Sequence, residues 1–89
     1  MASSEPSIEL RTFLLSLASN AMLQLGAIPD PETNESTTNL PLARQSIDIL
    51  TMLHDKTKGN LTEEEEELFE NLLYDLRLRY IEKTGESEN

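Results

Sequence analysis

The chain has 89 residues, which is the size of one domain, and it contains no cysteine. This composition excludes disulfides, thiol catalysis and thiolate metal sites. Seventeen acidic and seven basic side chains give a formal net charge of −10, and such a negative field disfavours binding to nucleic acids and to anionic membranes.

The most apolar stretch is Phe13–Leu25, which is about 13 residues long, whereas a membrane-spanning helix needs about 20. Glu5 and Glu9 precede it with Arg11 as the one base, which is unlike the basic start of a secretory signal. We therefore expect no targeting signal, no membrane segment and a cytoplasmic location.

The first helix is predicted over residues 8–25. Gly26 can adopt the left-handed conformation that ends a helix, and Pro29 prevents the helix from continuing. Residues 27–39 are rich in Pro, Asn, Ser and Thr and show no periodicity, so they are predicted to form a loop.

Two further helices are predicted from their start signals. Asn39 can cap a helix over residues 40–56, with Pro41 in its first turn. Thr62, with Glu65 three residues later, is a capping box for a helix over residues 62–83.

These elements predict an all-α fold with one helical domain over residues 8–83. No segment alternates with a period of two residues, so no sheet is expected. Residues 1–7 are predicted to be a disordered N-terminus, and residues 84–89, which include Gly85, a disordered tail.

The first helix is apolar over roughly 220° of its circumference, whereas an ordinary amphipathic helix has an apolar arc of about 100°. Two neighbouring helices are not expected to cover so wide an arc. The second helix carries one apolar stripe, which includes Leu42 and Ile49 and which one packed face would cover. The third helix carries a main stripe and a second, narrower one.

A homo-oligomer is therefore expected, as a helical-bundle dimer or a dimer of dimers, because such symmetry is common. A further, unknown protein partner is also possible on this pattern. The residues predicted to form the interface are Phe13, Leu14, Leu17, Ala18, Ala21, Met22, Leu25, Tyr74, Leu78 and Ile81.

No group of residues predicts a catalytic, cofactor or metal site. His54 is the single histidine, and a histidine in this position is typical of a helix end. The acidic run Glu63–Glu67 cannot converge on one ion, because consecutive helical positions point in different directions. The polar turn with Lys56, Lys58 and Asn60 leaves an alternative open, namely a small-molecule site formed together with His54.

Four runs of this sequence resemble an uncharacterised bacterial family, domain of unknown function 1844. They are Phe13–Gly26, Leu42–Leu50, His54–Thr62 and Leu72–Tyr80. The turn Lys-Thr-Lys-Gly-Asn-Leu-Thr over residues 56–62, followed by the acidic run, is the most specific part. The resemblance implies a short cytoplasmic helical protein and brings no reaction, cofactor or catalytic residue with it.

The sequence thus favours a non-enzymatic structural or interaction protein that self-associates through its first helix. The alternative is a small-molecule binding module that uses the polar turn after the second helix.

Overall fold

The computed structural model describes residues 9–88, with side chains described for residues 9–85. It contains three helices, α1 (Leu10–Gln24), α2 (Leu40–Lys56) and α3 (Glu63–Glu88). No strand occurs in this described part, so the predicted all-α class is confirmed. The predicted disordered N-terminus, residues 1–7, lies outside the described residues.

The end of α1 follows the prediction from Gly26, whose φ of +74° is left-handed. The Gly26 N–H donates to the Leu23 carbonyl at 3.0 Å, and the Ala27 N–H donates to the Met22 carbonyl at 2.9 Å. These two bonds form a Schellman motif, which satisfies carbonyls that the end of a helix otherwise leaves free.

Side-chain caps begin the other two helices, as predicted. The Asn39 Oδ1 accepts from the Leu42 N–H at 3.1 Å at the start of α2. At the start of α3, the Glu65 N–H donates to Thr62 Oγ1 at 3.1 Å and the Thr62 N–H donates to Glu65 Oε1 at 2.9 Å. This reciprocal pair is the capping box that the sequence indicates.

The bounds of two helices differ from the prediction. Helix α3 continues through Gly85 to Glu88, so the predicted end at residue 83 was too early, and residues 84–88 of the predicted disordered tail are helical. A glycine inside a helix costs only about 1 kcal/mol relative to alanine, which does not by itself end a helix. Helix α1 begins at Leu10, because Glu9 is extended and makes no side-chain cap.

The three helices have an up-down-up topology. The Asn39 N–H donates to the Gln24 carbonyl at 2.7 Å, so α2 begins beside the end of α1 and runs antiparallel to it. Helices α1 and α3 begin at the same end, where Arg11 and Leu68 line one groove. Ten buried apolar side chains form the core between the helices: Leu14, Ala18, Ala21, Leu25, Ala43, Ile47, Leu50, Phe69, Leu73 and Leu76.

Candidate interaction surfaces

The centre of the wide apolar arc of α1 is covered within the chain. Leu14, Ala18, Ala21 and Leu25, four of the predicted interface residues, are buried in the core. Alanine side chains let neighbouring helices approach closely, so α2 and α3 reach more of α1 than the width of the arc suggests. In this conformation these four residues are not available to a second chain.

Two flanks of α1 remain exposed. Phe13 is 43% exposed on one flank, and Leu15 is 44% exposed on the other. At 100° per residue, these two side chains lie on opposite sides of the buried Leu14. Leu17 and Met22, also predicted at the interface, are half-buried and pack against the core.

The flank of α1 that carries Phe13 adjoins α2. The Ser46 hydroxyl donates to Gln24 Oε1 at 2.6 Å, which holds one side of each helix at the line where α1 and α2 meet. Phe13 and Leu17 lie in the same helical row as Gln24, because they are eleven and seven residues before it. Ile49 lies three residues after Ser46, on the adjoining side of α2.

We define the seam face as the outer surface along this line. It has four exposed apolar side chains, with half-buried Leu17 and Leu53 between the helices. The exposed members are Phe13, Leu42, Ile49 and Met52.

The exposure of Leu42 and Ile49 contradicts the expectation that one packed face covers the stripe of α2. At 100° per residue, that stripe spans roughly 160°, which is wider than the arc of about 100° that an ordinary packed face covers. The width of the stripe is therefore the feature of the sequence that indicates this exposure.

The seam face has acidic side chains only at one edge, where Asp48 and Asp55 lie four residues before and three residues after Met52. Asn20, Gln24 and Gln45 supply neutral polar groups between the apolar residues, and Lys56 lies at the end of the row on α2. In a chain with a net charge of −10, a continuous surface over two helices with acids only at one edge limits the like-charge repulsion between two such surfaces.

A second apolar surface lies on α3, where the sequence predicts the narrower stripe. Tyr74 is 72% exposed, Ile81 is 63% exposed, and Leu78 is 45% exposed. We call these three residues the α3 stripe. They lie on the side of α3 away from buried Phe69 and Leu76. Their role as contact residues stays a prediction.

His54 joins the end of α2 to the start of α3. Its Nε2 contacts the Glu66 carboxylate, and its ring stacks on Phe69 with centroids 4.9 Å apart and an interplanar angle of 23°. The aromatic ring is thereby fixed against the core, and one of its two nitrogens is already engaged by a side chain of the same fold.

The polar turn after α2 does not gather the four residues of the alternative small-molecule site. Lys56, Lys58 and Asn60 are exposed, whereas His54 is turned towards α3. The groove beside this turn is lined by other residues: Gly59, Leu61, Thr62, Glu63, Glu66, Glu67 and Glu70. Four glutamates in this lining oppose an anionic ligand, and the predicted basic residues do not line it.

Among the residues that the structure describes, no cluster of three His, Asp or Glu side chains could hold a metal ion. Within that same part of the chain, every helix is too short or too polar to cross a membrane.

The comparisons with known proteins agree with the resemblance found in the sequence. Residues 7–82 match the model of the family described as "Domain of unknown function (DUF1844)". Neither the curated proteins nor the solved structures contained a match.

Proposed function

The chain belongs to the DUF1844 family, whose description assigns no activity, and we propose from its surface that it is a non-enzymatic interaction protein that self-associates through α1. The contact would use the flank of α1 with Phe13 and the adjoining side of α2. It would not use the core residues of α1. The seam face is the observation that carries this proposal.

The size of the seam face supports a dimer of moderate strength. Its four exposed apolar side chains are each 38–49% exposed, which corresponds to about 340 Å² of apolar area if a large side chain has about 200 Å². Interfaces are about 60% apolar, so each chain would bury about 570 Å². The total of about 1,100 Å² exceeds the roughly 1,000 Å² expected of a biological interface and lies below the roughly 1,200 Å² at which stable interfaces begin, which is the range of weak, transient contacts.

The energetics lead to the same affinity range. Burying about 340 Å² on each of two chains is worth about 17 kcal/mol at 25 cal/mol/Å². Association costs an estimated 4–15 kcal/mol, which leaves about 2–13 kcal/mol, and the middle of that range is the roughly 8 kcal/mol of a micromolar dissociation constant. Together with the small area, this favours a dimer that dissociates in the micromolar range.

A two-fold axis through the seam face gives the simplest arrangement. Each chain would supply the antiparallel pair α1 and α2, and the four helices would form a bundle with α3 of each chain on the outside.

The test compares two substitutions on the same helix. Phe13→Asp places a charge on the seam face, and Leu15→Asp places one on the opposite flank at nearly equal exposure, 43% against 44%. Sedimentation velocity from 1 to 200 μM measures the mass of each variant.

The unchanged protein and Leu15→Asp should approach twice the monomer mass of 10.1 kDa, and Phe13→Asp should remain monomeric. An unchanged protein that stays monomeric at 200 μM, or equal dimerisation by both variants, would refute the proposal.

A further inference from the structure

The side of α3 that carries the α3 stripe, which we call its outward side, is acidic in its first half and apolar in its second half. Its first half carries Glu63, Glu67 and Glu70, and its second half carries the α3 stripe. Successive members of this row are three or four residues apart, so all six lie on one side of the helix. The row runs from Glu63 to Ile81, which is 18 steps along the helix or about 27 Å at 1.5 Å per residue.

Two of these glutamates have no role in the fold. Glu65 belongs to the capping box, Glu66 contacts His54, and Glu63 lies in the first turn, where the helix dipole favours an acid. Glu67 and Glu70 lie beyond the first turn, are exposed, and have no hydrogen bond or ion pair in the described part of the chain.

The basic side chain nearest to the α3 stripe is Arg77, which lines one groove with Tyr74, Leu78 and Ile81. The Arg77 guanidinium donates to Thr51 Oγ1 on α2 at 2.8 Å, which directs its charge towards the bundle. Arg79 is paired with Asp75 on α3 itself at 3.2 Å. The outward row therefore presents acid followed by apolar surface, and the one base that borders it, Arg77, is bonded to Thr51 on α2.

We propose that this outward face of α3 binds an amphipathic helix of a partner protein that is apolar at one end and basic at the other. The apolar end packs on Tyr74, Leu78 and Ile81, and the basic end meets Glu67 and Glu70. Helix-against-helix recognition of this kind uses anchors at the same spacing of three and four residues. The charges fix which end of the partner lies where.

A second copy of the chain does not fit this face. Parallel pairing of two α3 helices brings Glu67 and Glu70 against the same residues of the partner. Antiparallel pairing that overlaps the two α3 stripes brings these glutamates beside the last turns of the partner's α3, where Lys83, at 100° per residue, lies on the side of the helix opposite to the α3 stripe. Parallel pairing thus places like charges together, as would a nucleic acid or an anionic membrane, and antiparallel pairing brings no base to Glu67 and Glu70.

The test uses a synthetic helix of 18 residues as the probe. One face carries leucines along half of its length and lysines along the other half, and a fluorescent label reports binding by anisotropy. A second peptide has glutamates in place of the lysines, and a third has the first sequence scrambled. We expect the lysine peptide to bind at micromolar concentration in 50 mM salt, and the other two at least tenfold more weakly.

Two protein variants locate the binding. Tyr74→Ala with Ile81→Ala removes the most exposed members of the α3 stripe and should lower the affinity for the lysine peptide at least tenfold. Glu67→Lys with Glu70→Lys should transfer binding from the lysine peptide to the glutamate peptide. Because all four side chains are exposed, circular dichroism and the melting temperature should stay unchanged.

Phe13→Asp separates this proposal from self-association, because it lies on the seam face and should leave peptide binding unchanged. The proposal is overturned if none of the peptides binds at 500 μM protein, or if the scrambled peptide binds as well as the lysine peptide. It is also overturned if the Tyr74 and Ile81 variant dissociates a dimer, since a second copy would then cover the α3 stripe.

Discussion

Gly26 offers a test of how the chain returns from α1 to α2. A Cβ added at this residue would lie 2.6 Å from Thr38 Oγ1 and 3.3 Å from the Thr37 carbonyl oxygen. The backbone φ of +74° is an additional cost for any residue with a Cβ. Gly26→Ala therefore combines backbone strain with a steric clash, and a second glycine separates these two contributions.

Gly59 is the matched control, because its φ is +87° and an added Cβ would meet nothing within 4 Å. The left-handed conformation costs an alanine about 1–2 kcal/mol, so Gly59→Ala should lower the free energy of unfolding by that amount. Displacing Thr38 from its preferred rotamer adds about 0.5–1.5 kcal/mol at Gly26. We expect a loss of about 2–3 kcal/mol for Gly26→Ala.

Urea unfolding followed by circular dichroism at one fixed protein concentration measures these differences, because the stability of a self-associating protein depends on concentration. Thr38→Ala combined with Gly26→Ala should reduce the loss towards that of Gly59→Ala, since it removes the nearer of the two oxygens that the Cβ meets. If Gly26→Ala costs no more than Gly59→Ala, the close approach of Thr38 to the end of α1 is wrong.

Two further substitutions test the start of α3 and its link to α2. Thr62→Ala removes the side-chain half of the capping box and should cost about 1 kcal/mol in urea unfolding, whereas Ser36→Ala in the exposed loop should change stability by less than about 0.5 kcal/mol. Equal effects would contradict the cap. His54→Ala removes the stacking on Phe69 and the contact with Glu66, and we expect a loss of about 1–3 kcal/mol at neutral pH. His54→Phe should recover part of that loss, because a phenyl ring can still stack on Phe69. If no stability is recovered, the stacking on Phe69 does not contribute to the stability that His54 provides.

The helix boundaries set by local chemistry could be predicted from the sequence. Gly26, Asn39 and Thr62 each act on backbone groups within five residues of themselves. The sequence of a short segment is therefore sufficient to predict these helix ends. The end of α3 was missed because Gly85 is compatible with a helix, and composition alone does not decide whether a weak helix former ends one.

The distribution of buried surface could not be predicted in the same way. Whether Ala18 or Leu42 is buried depends on how closely the neighbouring helices pack. This distance is set by α1, α2 and α3 together and not by any one of their sequences. The wide arc of α1 predicts contact with a second chain over its whole width, whereas α2 and α3 cover its middle within the chain and leave its flanks exposed. The seam face therefore includes residues of α2 that the sequence had assigned to the core.

The seam face and the α3 stripe lie on different sides of the bundle, and this separation determines how many ligands an assembly can hold. Two chains joined at their seam faces would direct two α3 stripes outwards, so the pair would be bivalent. A partner with two suitable helices on one flexible chain would bind the second α3 at a high effective concentration, and avidity could exceed the single-site affinity by about 10²–10⁴. Weak contacts at each surface would then be sufficient for a long-lived complex. That complex would dissociate when the two chains of the dimer separate.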